Sequence, residues 1–292
     1  MCRSLIVMTM TATSAILAVT AQETRICRGE SAAVSPDGGS IAFMRLENHR
    51  FSVVVRNIRS GAEAVIPSGP GQAIMPRWRK DGAIVFTAAN EMKSAFAARN
   101  DQTGWNLHLF RNGQVEKLTS GRIRETCASF APDGSLYFVA DATDGKDIPS
   151  IVRMGADGRR ETAVTLPASP CMFGDPSVSP DGQLLLRAEA EQYNRPWRIV
   201  VSPVTNGAER TYLTSMTMAA YAPTWSPDGK SIVFTGCREG DDGWYVYLMP
   251  AKGGVMKRFV KGKNPAFTPD GRTVFYDRGG EIFMAQLKKG DD

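Results

Sequence analysis

The sequence predicts an all-β fold: a six-bladed β-propeller of four-stranded antiparallel blades, its ring closed by an N-terminal strand. Three observations carry this reading. A Ser-Pro-Asp-Gly-like tetrapeptide recurs along the chain, and its aspartates (Asp37, Asp81, Asp133, Asp181, Asp228 and Asp270) lie 42 to 52 residues apart, the length of one propeller blade. Short apolar, β-rich segments flank every copy, with no sustained helical periodicity after residue 21. The last copy stops one strand short, while Glu23–Cys27 stands unpaired ahead of the first.

The turn comes first because it sets the period. Ser35-Pro36-Asp37-Gly38 returns as Ala131-Pro132-Asp133-Gly134, Ser179-Pro180-Asp181-Gly182, Ser226-Pro227-Asp228-Gly229 and Thr268-Pro269-Asp270-Gly271, with Arg79-Lys80-Asp81-Gly82 as a degraded copy. Pro presets φ for a type I turn, the hydroxyl bonds back to the backbone, and Gly adopts the left-handed conformation that closes the hairpin. An inner strand precedes the turn, as in Pro223–Trp225 and Pro265–Phe267. A second follows it: Ile41–Phe43, Ile84–Phe86, Leu136–Phe138, Leu184–Leu186, Ile232–Phe234 and Val274–Tyr276. A third alternates with period two, as in Trp105–Leu109 and Trp244–Leu248. Glycine turns such as Ser60-Gly61 and Asn112-Gly113 lead to a fourth, closed in two blades by Leu118-Thr119 and Leu213-Thr214. After Thr273–Tyr276 and Glu281–Leu287 the last blade lacks its outer strand. Glu23–Cys27 is expected to supply it, which removes the open edges between first and last blades.

Composition excludes several functions. With 292 residues, 42% hydrophobic and 22% charged, the chain is neither disordered nor membrane-embedded by composition. Two histidines argue against a His-rich metal site, and no metal or cofactor is expected. Net charge is +5 without like-charge runs, so nucleic acid is not an expected partner. Residues 1–21 carry Arg3, an apolar stretch from Leu5 to Val19 and a Val19-Thr20-Ala21 ending, the pattern of a cleaved secretory signal. The reading is a signal peptide over 1–21 and one propeller domain over 22–292, periplasmic or secreted, with no stable membrane insertion after cleavage.

These residues resemble a known family. Ser-Pro-Asp-Gly turns followed by Ile-Ala-Phe-like strands are similar to the TolB-type, WD-like β-propeller repeat, over nearly all of residues 23–292. The resemblance implies the propeller fold and says little of function, because such propellers serve scaffolding, binding and catalysis. About 13 residues separate Gln22 from Ser35, too few for the N-terminal domain of TolB itself. Related propellers joined to serine peptidases imply a Gly-x-Ser-x-Gly elbow, which this sequence lacks.

Candidate binding residues follow from repeat position. Four residues before each turn motif stand Ser31, Met75, Cys127, Asp175, Ala222 and Asn264, expected at the channel mouth on the face opposite the turns. Trp105, Trp197 and Trp244 share the start of the third strand, where they either meet a partner or pack between blades. With His49, Tyr193, Arg195 and Asp241 from neighbouring loops they form the candidate partner-binding rim. No catalytic set converges, since His49 and Tyr193 belong to opposite blades. Four cysteines remain after signal cleavage, and loop placement suggests disulfides Cys127–Cys171 and Cys27–Cys237, with free buried thiols as the alternative. The expectation is a monomeric, non-catalytic module that binds a protein or an envelope polymer. The alternative is a secreted carbohydrate-active lyase or glycosidase using the funnel.

Overall fold

The computed structural model describes residues 22–69, 71–89, 104–120, 124–140, 149–165, 172–191 and 195–287. The expected signal segment and Tyr193 lie outside these residues. The outermost strand of the last blade is β1 (Glu23–Arg28), the first element of the chain. Blade one follows with β2 (Glu30–Val34), β3 (Ser40–Glu47), β4 (Arg50–Asn57) and β5 (Glu63–Val65). Blade two has β6 (Ala73–Trp78), β7 (Ile84–Ala89), β8 (Trp105–Arg111) and β9 (Gln114–Lys117). Blade three has β10 (Glu125–Phe130), β11 (Leu136–Ala140), β12 (Ser150–Met154) and β13 (Arg160–Thr165). Blade four has β14 (Met172–Val178), β15 (Leu184–Ala190), β16 (Arg198–Pro203) and β17 (Thr211–Tyr212). Blade five has β18 (Met218–Trp225), β19 (Ser231–Arg238), β20 (Tyr245–Pro250) and β21 (Lys257–Lys261). Blade six has β22 (Lys263–Phe267), β23 (Thr273–Arg278) and β24 (Glu281–Gln286), completed by β1.

The ring closes as expected. β1 pairs antiparallel with β24, Glu23 opposite Ala285 and Arg28 opposite Glu281. Arg25 and Glu281 add an ion pair at 2.6 Å. Neighbouring inner strands pack side by side around the ring, β2 meeting both β6 and β22. The core lies between blades, as in the cluster of Leu186, Ala188, Ile199, Met218, Ala220 and Phe234 that joins blades four and five. Among the described residues no helix is long and apolar enough to cross a membrane.

The turn motif does the same work in five of the six blades. In blade five Ser226 Oγ donates to Asp228 Oδ1 at 2.6 Å, and the Lys230 amide donates to the same oxygen at 3.1 Å. The Ser231 amide returns to Ser226 Oγ at 2.9 Å. Blades one, four and six repeat this with Ser35–Asp37, Ser179–Asp181 and Thr268–Asp270. Blade three has Ala131 in place of the hydroxyl residue, and Ser135 reaches back to Asp133 Oδ1 at 2.6 Å instead. The fourth-strand Leu-Thr endings also find a cause: Thr119 and Thr214 hydroxyls accept from the third-strand amides of Leu107 and Ile199, each at 2.9 Å.

The expected Cys27–Cys237 disulfide is not formed, and both residues are free thiols. Cys27 packs with Ile41, Phe43, Phe275 and Ile282, between blade six and blade one. Cys237 pairs opposite Ala219 in blade five, on the far side of blade six. Cys127 is also a free thiol, and Cys171 lies outside the described residues.

Candidate functional site

The inner strands bend in the same way in all six blades. Each carries a register shift beside its candidate channel residue, for example between Glu30 and Ala33, Ile74 and Arg77, and Gly174 and Ser177. At the bulge the backbone turns left-handed: φ is 55° at Ser31, Met75 and Cys127, 49° at Asp175, 50° at Ala222 and 52° at Asn264. A non-glycine residue in this region is strained, β-bulges re-aim the side chain, and such strain gathers at binding sites.

Side chains and amides of this ring pass hydrogen bonds from blade to blade. Cys127 Sγ approaches Met75 Sδ at 3.7 Å. The Ala222 amide donates to Asp175 Oδ2 at 3.1 Å, and the Asn264 amide to Thr235 Oγ1 at 2.8 Å. Asp277 joins blade six to blade one: its Oδ1 accepts from Asn264 Nδ2 at 2.8 Å and from the Ser31 amide at 2.9 Å. Burial pushes the Asp277 carboxyl up to about 6, against the pull of those two hydrogen bonds. Burial also raises Asp175, with Arg77 opposing it, and raises the Cys127 thiol, with Asp175 adding to the effect.

Inside the ring lies an axial cavity of about 560 Å³. It runs from the left-handed ring, where Ser31, Cys127, Asp175, Ala222 and Asn264 line it, to the turn prolines Pro36, Pro132, Pro180, Pro227 and Pro269. Its charged lining among the described residues is Arg77, Arg79, Lys80 and Asp175. Val34, Trp78, Phe130, Val178, Trp225 and Phe267 lie one residue before each turn motif and also border it. Trp78 and Trp225 donate from Nε1 to Ala33 and Ser177 carbonyls of the preceding blade, each at 3.0 Å, which pins both rings.

Among the described residues the rim candidates differ in exposure. Trp105 is fully buried against Phe51 and Ile74 and cannot meet a partner, so the shared Trp position reflects inter-blade packing there. Trp197 is half-buried against the blade four–five core, and Trp244 packs edge-on to Tyr221 with ring centroids 5.1 Å apart. Asp241 accepts from Tyr247 Oη at 2.8 Å and from the Arg238 amide at 2.8 Å, which fits a loop-holding role. His49 forms an exposed two-residue hairpin with Asn48, both left-handed, and Arg195 is exposed in a blade-four loop. Sequence reasoning missed Asp277, which lies in a second strand where no repeat signal marks it.

Comparison with known proteins gives the family context. A family model described as the TolB beta propeller domain matches residues 23–195. An uncharacterized protein of Agrobacterium fabrum is 32% identical over 107 residues, 35% of each chain. The Tol-Pal system protein TolB of Alcanivorax borkumensis is 34% identical over 85 residues, 29% of this chain and 19% of that one. The matched segments thus span about a third or less of these curated relatives. Among solved structures, TolB from Acinetobacter baumannii superposes with a TM-score of 0.68 at 18% identity, over 87% of this chain and 65% of that one. A gluconolactonase from Xanthomonas campestris gives the same TM-score of 0.68 at 14% identity, over 92% and 90% of the two chains. At these identities both likenesses speak for the fold alone.

Proposed function

The chain belongs to the TolB beta propeller domain family, and on that premise we propose that it is an exported, non-catalytic binding module of the cell envelope. Residues 1–21 act as a cleaved signal and residues 22–292 as the mature, monomeric propeller in the periplasm or outside the cell. The loop face opposite the Pro-Asp-Gly turns takes a protein or an envelope polymer, with Arg195 and His49 among its exposed contacts.

The observation that carries the reading is the chemistry of the axial cavity. Its one lining carboxylate among the described residues, Asp175, is hydrogen-bonded to a backbone amide and held toward its neutral form by burial. A retaining or inverting glycosidase requires a pair of carboxyl groups roughly 5–9.5 Å apart across the scissile bond. A rigid ring with a preformed cavity and a single spent carboxyl suits binding better than bond cleavage.

The test is capture from envelope extract by the purified protein beside an Arg195→Glu/His49→Glu variant. A specific partner held by the first and released by the second supports the reading. Turnover of a polysaccharide or peptide that disappears in Arg195→Ala overturns it in favour of a carbohydrate-active or peptidolytic enzyme.

A further inference from the structure

We propose that the axial cavity holds a site for a small organic carboxylate, centred on Arg77 and entered from the turn face past Lys80. This inference concerns the opposite end of the molecule from the loop face and stands independently of partner binding there.

Blade two is where the repeat breaks, and both breaks put positive charge into the channel. Two residues before the turn motif the other blades have Ala33, Ser129, Ser177, Thr224 and Ala266, all lining the cavity; blade two has Arg77. At the second motif position the others have proline; blade two has Lys80. Arg77 is the one long side chain among the short residues at this position around the ring.

The third cation is already engaged. Arg79 stands where the hydroxyl residue belongs and takes over its donation to the aspartate, with Nε at 2.8 Å from Asp81 Oδ1 and Nη2 at 2.7 Å from Oδ2. The turn is therefore preserved without Ser and Pro, and the Pro-to-Lys change is not needed to make it. Arg77 and Lys80 remain. Arg77 donates from Nη1 to the Pro76 carbonyl at 2.9 Å, which orients the guanidinium and leaves further donors for a ligand. Lys80 is exposed at the mouth.

The sign of the cavity follows. With Arg79 matched by Asp81, its lining has two cations, Arg77 and Lys80, against one carboxylate, Asp175, which also accepts from the Ala222 amide. A planar guanidinium donates two parallel hydrogen bonds to a carboxylate. A cavity of about 560 Å³ suits a ligand of a few carbon atoms bearing such a group.

Isothermal titration of the purified protein with citrate tests the site, with inorganic phosphate and glycerol in parallel. The expected result is saturable one-to-one citrate binding and none of glycerol. Arg77→Ala should weaken it at least about tenfold, Arg77→Lys should restore part of the loss, and Lys80→Ala should weaken it about threefold. Lys230→Ala, an exposed lysine of the blade-five turn, should leave it unchanged. Unaltered affinity in Arg77→Ala with an unchanged melting profile overturns the proposal, as does phosphate binding without citrate binding, or no saturable binding at all.

Discussion

The two ends of the axial cavity follow opposite rules on one scaffold. At the turn end the side chains repeat: a hydroxyl bonds an aspartate Oδ1 within 2.5–2.6 Å in blades one, three, four, five and six. At the other end the backbone repeats, with φ between 49° and 55° in every blade, while the side chains are Ser, Met, Cys, Asp, Ala and Asn. Repeated side chains mark where the fold is held together. Varied side chains on a repeated backbone mark positions whose identity the fold leaves open, and these are available for recognition. Blade two carries the same lesson in reverse, because it is the turn where the repeated chemistry gives way to Arg79 and Lys80.

The largest expected effect is at the turn end. Trp225 is 7% exposed and fills the seam between blades four and five, so Trp225→Ala should cost about 3–5 kcal/mol in urea unfolding. Trp78→Ala should cost less, since its ring is only half-buried. Equal losses would mean that the seam, rather than the individual ring, determines the cost.

Asp277 gives the next effect, through pH. Its folded carboxyl sits near 6 against an ordinary value of 3.8, so the folded state binds the proton more tightly than the unfolded one. Stability should therefore fall as pH rises from about 4 through about 6, by up to roughly 3 kcal/mol from this group. Both hydrogen bonds end on Oδ1, which an asparagine also offers as an acceptor. Asp277→Asn should keep the ring joined, flatten the slope between pH 4 and 6 with Asp175 keeping a part of it, and melt higher at pH 7. Identical pH profiles for the two proteins would contradict the assigned burial of this carboxyl.

Smaller changes sharpen the contrast. Ser226→Ala removes the hydroxyl that bonds both Asp228 and the Ser231 amide and should cost about 1 kcal/mol. Ala222→Gly relieves a left-handed alanine and should be neutral or stabilising by a few tenths of a kcal/mol, also by urea unfolding.

Much of the fold was legible because its signals are local and repeated. Pro-Asp-Gly specifies a turn wherever it falls, and the unpaired Glu23–Cys27 segment found its partner in β24 by counting strands. The channel positions were also found by counting. Their left-handed backbone was not, because no glycine marks it and Met75, Cys127 and Ala222 have no preference for that conformation. Asp277 escaped notice because its role depends on Asn264 and on Ser31 from the next blade around the ring. The Cys27–Cys237 pairing failed for a related reason: loop placement does not show which way a side chain faces, and Cys27 packs between blades six and one.

Urea unfolding of two double variants, Ser226→Ala/Asp228→Ala at the turn end and Ser31→Gly/Ala222→Gly at the ring, tests the division most directly. The turn variant should lose about 2 kcal/mol while the ring variant matches or exceeds the parent. A ring variant that loses as much as the turn variant would show that the varied end holds the fold as firmly as the repeated one, contradicting the division.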